Sequence, residues 1–460
     1  MDSPLGIYIY IILHTRKLRE DIKTAAAATP LLSLSSTPPP YFHMVITANL
    51  FINQRASTTA LKQPKEIGYY SRTSKGEYLA GNDVNLKYYY LPDSDVDRSL
   101  ELTAGLRKFR DYEAEFPAGS TGTLKGLLET IQLYEERRGG KRVHADIVAS
   151  VKTLVKLILT AYYTARAVEF RIVAFDGQLF IREYCSPSGI TTATATTATT
   201  ATNTVGGNTG ASTSKSQKGA AISEEQTRSQ RQRLFPDVNK YTVYKFKALA
   251  TLSKPVQLVS RETLDKRPKK LCNNGDKYVS VVKTGVGNVK LVLDSTVDCI
   301  FDFKEDGKDN LTHYAYLFLS PWITSTADTR KFEQQIFKVW LECFLSGVPK
   351  VIVGYRNDAH TLRAVEEFQT SEIPILLKSN SGEFGPRCLD AIKWYGLFTE
   401  WLLKIIPRDD PKVVRPFKLR FQDNHLKLSE VVGTDPEYFG LVNGEDILTD
   451  AFKTWRLSLT

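Results

Sequence analysis

From Tyr278 onward the chain follows an order that leaves few architectures open. Two Val-rich segments, YVSVVKT and VKLVLDSTVDCIFDF, flank a turn at Gly285 and Gly287, and a third apolar segment, THYAYLFLS, follows. β-Branched runs bounded by glycines predict a hairpin and a further strand. The next stretch, KFEQQIFKVWLECFLSG, is amphipathic at helical spacing, and Gly347 stands where a helix is usually capped. PKVIVGYR then predicts a buried strand, and Leu389–Ile406 (LDAIKWYGLFTEWLLKII) a long helix that Pro407 stops. Strands, helix, strand, helix is the order of an α+β chain with a central mixed sheet and helices packed on it.

The first half adds elements of the same kind. Ile67–Tyr70 and Leu86–Leu91 are short, aromatic and bounded by polar turns, as strands are. Leu124–Glu136 has helical spacing, and so does Ile147–Ala161, where Ile147, Val151, Leu154 and Ile158 share one stripe. FRIVAF and QLFI surround Asp176-Gly177, a strong hairpin signal. YTVYKFKALATL, from Tyr241, is expected to be another strand.

Two regions break the pattern. Thr and Ala alternate from Thr191 to Thr202 inside a Thr/Ala/Ser-rich stretch, residues 187–233, which is expected to be a low-complexity insertion. Residues 1–43 pair a short apolar run, Ile7–Leu13, with AAAATP and STPPPYF. That run is far shorter than the roughly 20 residues of a membrane span and lacks the flanks of a signal peptide. Residues 1–43 are therefore expected to be a disordered or mis-started extension, residues 44–460 a single domain, and no membrane partner is expected. The five cysteines are far apart, with no CxxC pair, and the six histidines are scattered, which excludes a zinc site read from spacing and suits a reducing compartment. A net charge of +10 favours anionic partners, nucleic acid foremost.

Metal-dependent nucleases set several acids on neighbouring strands, with a lysine two residues beyond one of them, because a hard divalent cation needs several oxygen ligands. The candidate here is Asp298 in STVDCIFDF, with Asp294 and Asp302 four residues away on either side and on the same face of a regular strand. The adjoining segment, HYAYLFLS, has neither acid nor lysine. Asp298 also has a plain structural reading, as an acid accepting bonds from backbone N–H groups or a nearby lysine.

NLFINQRASTTALKQPKEIGYYSRT, NLKYYYLPD, YVSVVKTGVGN, VDCIFDFKEDGKDNL, CFLSGVPKVIVGYR, AIKWYGLFTEWLLKIIPRD and NHLKLSE resemble the fungal nuclear branch of the DXO family of RNA decapping nucleases. The resemblance runs from about Met44 to the C-terminus, apart from the Thr/Ala insertion. It implies a restriction-nuclease-like core with a second, smaller sheet, a single Mg²⁺ or Mn²⁺ site that hydrolyses faulty RNA 5′ ends, and nuclear placement. It also implies a protein partner, the nuclear 5′–3′ exoribonuclease, in ribosomal RNA processing and transcription termination.

Carried over position by position, the family's catalytic set is largely replaced. Where the family has Arg-Gly opening a helix, this chain has Val151-Lys152. The metal-binding Glu of its GYKFE segment is Lys247. The two acids of Glu-Val-Asp are Thr296 and Asp298, so only Asp298 survives. The Glu-Leu-Lys segment, which supplies an acid, a backbone carbonyl ligand and the catalytic lysine, is Tyr316-Leu317-Phe318, and a helical Gln is Glu342. Any remaining metal would rest on Asp298 and the Leu317 backbone, with Asp294, Asp302 or Glu305 as a shifted site. No cofactor is therefore expected, and Mg²⁺ or Mn²⁺ only if activity persists. A pairing of Lys247 with Asp298 or Glu342 would fill the metal's place.

The expected role is a non-catalytic partner of the exoribonuclease; the alternatives are an active decapping hydrolase and an RNA-binding module. For RNA, Lys152 and the RRGGKR run (Arg137, Arg138, Lys141, Arg142) offer phosphate contacts without DNA specificity. KRPKK at Lys266–Lys270 is a weak nuclear signal on its own. The hairpin FRIVAFDGQLFI is either an ordinary sheet hairpin or an open edge for the protein partner.

Overall fold

A computed structural model describes residues 45–56, 60–115, 123–164, 167–184, 237–305, 307–379 and 384–459. The extension at 1–43 and the insertion at 187–233 lie outside them. Val45–Thr460 form one compact unit, and no helix among the described residues is long and apolar enough to cross a membrane.

The architecture is a mixed α+β fold on two sheets. The larger has ten strands in the order β1 (Thr47–Phe51), β16 (His425–Glu430), β15 (Arg415–Gln422), β6 (Val168–Phe175), β7 (Gln178–Glu183), β5 (Ile147–Ser150), β10 (Val289–Val297), β9 (Lys277–Val286), β2 (Leu61–Arg72) and β3 (Tyr78–Ala80). Its pairs are antiparallel except at β5, which runs parallel to both β7 and β10. The smaller sheet has the order β14 (Leu362–Gln369), β13 (Lys350–Arg356), β12 (Tyr314–Pro321), β11 (Cys299–Ile300), β4 (Tyr88–Tyr89) and β8 (Thr251–Leu252).

Helices cover both faces of the large sheet. α1 (Lys125–Glu136) and α6 (Asp450–Ser458) bury Leu127, Leu128, Ile131 and Phe452 against Val173, Phe180, Val281 and Val292. On the other face α2 (Val151–Leu159), α4 (Thr326–Ser346) and α5 (Gly385–Ile405) pack Leu154, Phe337, Trp340, Trp394 and Phe398 on Ile172, Ile181, Leu291 and Leu293. α3 (Val238–Leu249) lies over the smaller sheet, with Phe246 and Leu249 against Leu317, Leu319 and Ile352.

Both predicted hairpins form. Phe175 pairs with Gln178 around Asp176 and Gly177, whose φ values of 50° and 74° suit the tight turn that Asp-Gly favours. Val286 pairs with Val289 around Gly287. The helix over Lys331–Ser346 ends at Gly347 in the left-handed conformation, as expected.

Two expectations need correction, and one pair of alternatives is decided. YTVYKFKALATL is mostly helix α3, not strand: Asp237 caps it through the Asn239 N–H, and the buried positions Tyr241, Lys245, Phe246 and Leu249 recur at helical spacing. Ile147–Ser150 is not helical but a central strand, and the helix begins at Val151. The hairpin FRIVAFDGQLFI is no open edge, because β6 is paired by β15 and β7 by β5.

Candidate functional site

The site lies where the two sheets meet. β10 ends at Val297, Asp298 sits in a one-residue break, and the chain joins the smaller sheet at Cys299 as β11. That break interrupts the strand on which Asp294, Asp298 and Asp302 would have shared a face. Asp294 is buried under Tyr70, whose hydroxyl donates to it at 2.7 Å, and burial pushes its pKa up against that bond. Asp302 bonds the His313 ring at 2.7 Å on a half-exposed loop, and Glu305 pairs with Lys308. Neither they nor Asp294 join Asp298, so the shifted acidic site does not form.

Asp298 is 9% exposed, and both its oxygens are engaged. Lys247, from the last turn of α3, donates its ammonium to Oδ1 at 2.6 Å, and the Leu317 N–H on β12 donates to Oδ2 at 2.9 Å. The same ammonium lies 5.2 Å from the centre of the Tyr316 ring. Tyr316 donates in turn to Glu342 Oε2, on α4, at 3.1 Å. Burial, with the Glu342 and Asp298 charges, holds the Tyr316 hydroxyl well above the ordinary tyrosine range, so it stays a donor.

These groups line a pocket of about 520 Å³ together with Lys152, Thr296, Lys87, Glu113, Tyr244, Lys270, Asn274 and Lys277. Sequence reasoning had brought Lys152, Lys247, Thr296, Asp298, Tyr316 and Glu342 together, and they do meet here. Val151 is in the core, Phe318 packs against the α4 side, and Arg137, Arg138, Lys141 and Arg142 lie outside the pocket. Arg142 is an ion-pair partner of Asp176 at 2.9 Å.

Missed by sequence reasoning were Lys87, Glu113 and Lys277, which come from distant segments with no spacing to announce them. Glu113 bonds the Lys277 ammonium and accepts from Tyr244 at 2.6 Å. Burial alone would raise Glu113, but the Lys277 charge and these bonds bring it below the usual carboxylate range. Burial and the neighbouring Lys152 charge bring Lys277 down to about 8 despite Glu113. Burial also lowers Lys87, with the Lys270 and Lys247 charges adding to the effect and Asp298 opposing it.

A divalent cation does not suit this set of donors. It would need several oxygens with negative charge to offset its dehydration. Here the acid at the centre is engaged on both oxygens, by an ammonium and an N–H, and the adjacent acid accepts from a tyrosine hydroxyl. Among the described residues no group of three or more His, Cys, Asp and Glu side chains is placed to hold a metal.

A family model described as RAI1 like PD-(D/E)XK nuclease matches residues 62–453. The chain belongs to that family. It is 49% identical over 420 residues to Decapping nuclease RAI1 of Saccharomyces cerevisiae, covering 90% of this chain and 100% of the relative. To Decapping nuclease RAI1 of Kluyveromyces lactis it is 46% identical over 420 residues, with the same coverage. Among solved structures, Candida albicans Rai1 in complex with pU5-Mn²⁺ superposes with a TM-score of 0.72 at 32% identity, over 91% of this chain and 100% of that one. Scheffersomyces stipitis Rai1 in complex with (3′-NADP)⁺ and calcium ion gives 0.71 at 34% identity, over 89% and 100%. The PD-(D/E)XK fold of this RAI1-family chain thus accounts for both sheets. The relatives hold Mn²⁺ or Ca²⁺, whereas the pocket here presents lysine to its one central acid.

Proposed function

We propose that this RAI1-family protein acts on RNA 5′-end metabolism in the nucleus without hydrolysing RNA, as a stabilising and activating partner of the nuclear 5′–3′ exoribonuclease in ribosomal RNA processing and transcription termination. The observation that carries the loss of chemistry is the Lys247 ammonium 2.6 Å from Asp298. A metal there would meet a fixed positive charge at about 4 Å, a repulsion of several kcal/mol per charge pair at an effective dielectric near 20. Phe318 stands where the resemblance puts the family's catalytic lysine, so that position offers no ammonium to developing charge on a phosphate. Family membership supports the partner role; a scaffold can keep its binding surfaces after its site has lost catalysis.

The test is hydrolysis of 5′-triphosphate, 5′-monophosphate and capped RNA with Mg²⁺ and Mn²⁺, by the protein alone and with the exoribonuclease added. The expected result is no product from the protein alone, and a longer-lived, faster exoribonuclease in its presence. Metal-dependent release of a 5′ product by the protein alone, abolished by Asp298→Ala, would overturn the reading.

A further inference from the structure

Far from the pocket, at the other end of the β9–β10 hairpin, three neighbouring strands gather lysines on one face. Lys65 on β2 stands directly opposite Lys283 on β9. One step along, Lys62 is opposite Gly285, and Gly285 is opposite Lys290 on β10. Residues directly opposite each other project from the same face. This is the face on which Val281 and Val292 pack beneath α1. The stem of Lys62 crosses Gly285, where an added Cβ would meet its side chain at 3.0 Å. Arg138, just past the end of α1, completes the group: its charge, with those of Lys290 and Lys62, adds to burial in lowering Lys283. Of the RRGGKR run, Arg138 is thus the member placed with the strand lysines.

None of the four lysines forms an ion pair with a described residue. The adjoining acid, Glu66, points to the opposite face, where Ser280 and Tyr314 bond it, and Asp146, which accepts from the Lys290 N–H, is paired with Arg408. Like charges directly opposite each other across a sheet are unfavourable, so the folded chain holds this group together with no acid of its own. The eight residues from Lys290 to Asp298 span roughly 26 Å of strand, at about 3.3 Å per residue, which places the group well outside the pocket.

We propose that this lysine face is a docking surface for the phosphate backbone of single-stranded RNA, separate from the pocket. The group has no exposed large apolar side chain in it, whereas protein interfaces are anchored by buried aromatic and aliphatic groups. The ring beside it, Tyr134, is half-buried and lies under the Arg138 guanidinium at 5.2 Å, so contact is with phosphates and independent of base sequence. Adjacent strands are about 4.8 Å apart, so ammonium groups on their flexible stems can meet successive phosphates of an extended strand.

The test is fluorescence anisotropy of the full chain with an oligouridylate that carries a 5′-hydroxyl, so that recognition of a 5′ phosphate plays no part. Four to five phosphate contacts predict a log–log salt slope of about −3, so raising salt fourfold weakens binding roughly 50- to 130-fold. Lys65→Gln with Lys283→Gln is expected to reduce the slope by about 1.4, and Lys62→Gln with Lys290→Gln to do the same, with melting unchanged or raised as the repulsion is relieved. No binding at low salt, or a slope that neither pair alters, would overturn the proposal. Equal competition by polyglutamate of matched charge would overturn the RNA assignment in favour of an acidic protein. Because the probe lacks a 5′ phosphate and no cleavage is measured, failure here leaves the non-catalytic reading of the pocket standing, and the converse holds.

Discussion

A single side chain decides what the pocket can do. Lys247 is 28% exposed and its partner Asp298 9%, so the pair is half-screened from water. Replacing Lys247 with Met leaves Asp298 with only the Leu317 N–H. Removing one partner of a fully buried pair costs about 3–5 kcal/mol; with partial exposure the loss is expected to be about 1–2 kcal/mol, read from the urea midpoint. Adding Asp298→Asn to Lys247→Met should recover part of that loss, because an amide oxygen still accepts the Leu317 N–H without an unpaired charge. A double variant as unstable as the sum of the two singles would show that the pair is not coupled. Lys277 gives a pH signature in the same pocket. Its folded pKa of about 8 lies below the 10.5 of a free lysine. Between those values the unfolded chain binds a proton that the folded chain has released, so this group makes stability rise with pH across the window. Lys277→Met should therefore lower the gain in urea midpoint between about pH 7.5 and about pH 9.5; an identical gain in both proteins would contradict the placement of Lys277.

Elements were legible where one period dominated and obscure where two competed. The hairpins were marked by Asp-Gly and by the glycines at 285 and 287, which fix turn geometry locally. α3 was obscured because Tyr241, Thr242, Val243 and Tyr244 have strand-forming side chains, yet its buried positions follow a helical period under the Asp237 cap. The β5–α2 boundary was hidden because the apolar stripe continues through Ser150 with no break in composition. The break at Asp298 leaves no local trace at all: STVDCIFDF alternates like one strand, and only the pairing of Cys299 with Ala315 shows the change of sheet. So the residues of the site could be named from a resemblance, but the fan of Asp294, Asp298 and Asp302 into three environments could not. Gly347 is a case where element and packing agree. It ends α4 at φ 77°, and an added Cβ would lie 2.7 Å from Leu311 and 2.9 Å from Pro64. Gly347→Ala should cost about 1 kcal/mol for the left-handed backbone and more for the contact, at least about 2 kcal/mol in total, with a lower midpoint and unchanged secondary structure by circular dichroism.

At the scale of the whole molecule the pocket is the seam between two sheets. Asp298 follows β10 of the larger sheet, Tyr316 belongs to β12 of the smaller, Glu342 rises from α4, and Lys247 descends from α3. Relatives have been solved in complexes with Mn²⁺ or calcium; here the positive charge at Asp298 belongs to the chain itself. An ammonium on a helix satisfies Asp298 in every metal condition, so the stability of this fold should not depend on divalent ions. The converse is testable by restoring the family's residues together: Lys247→Glu, Thr296→Glu, Tyr316→Glu and Phe318→Lys. Without metal, four acids facing one another repel, and the variant should melt below the parent. With Mn²⁺ at a hundredfold above its Kd, binding to the folded state alone should return about 2.7 kcal/mol, and a chelator should remove it. The parent's melting should not respond to Mn²⁺. A rise in the parent would mean that the pocket holds the ion in spite of Lys247. If the variant melts cooperatively but ignores Mn²⁺, the separation between α3, β10 and β12 no longer matches a metal's coordination shell, and the pocket's shape as well as its residues has left the catalytic arrangement.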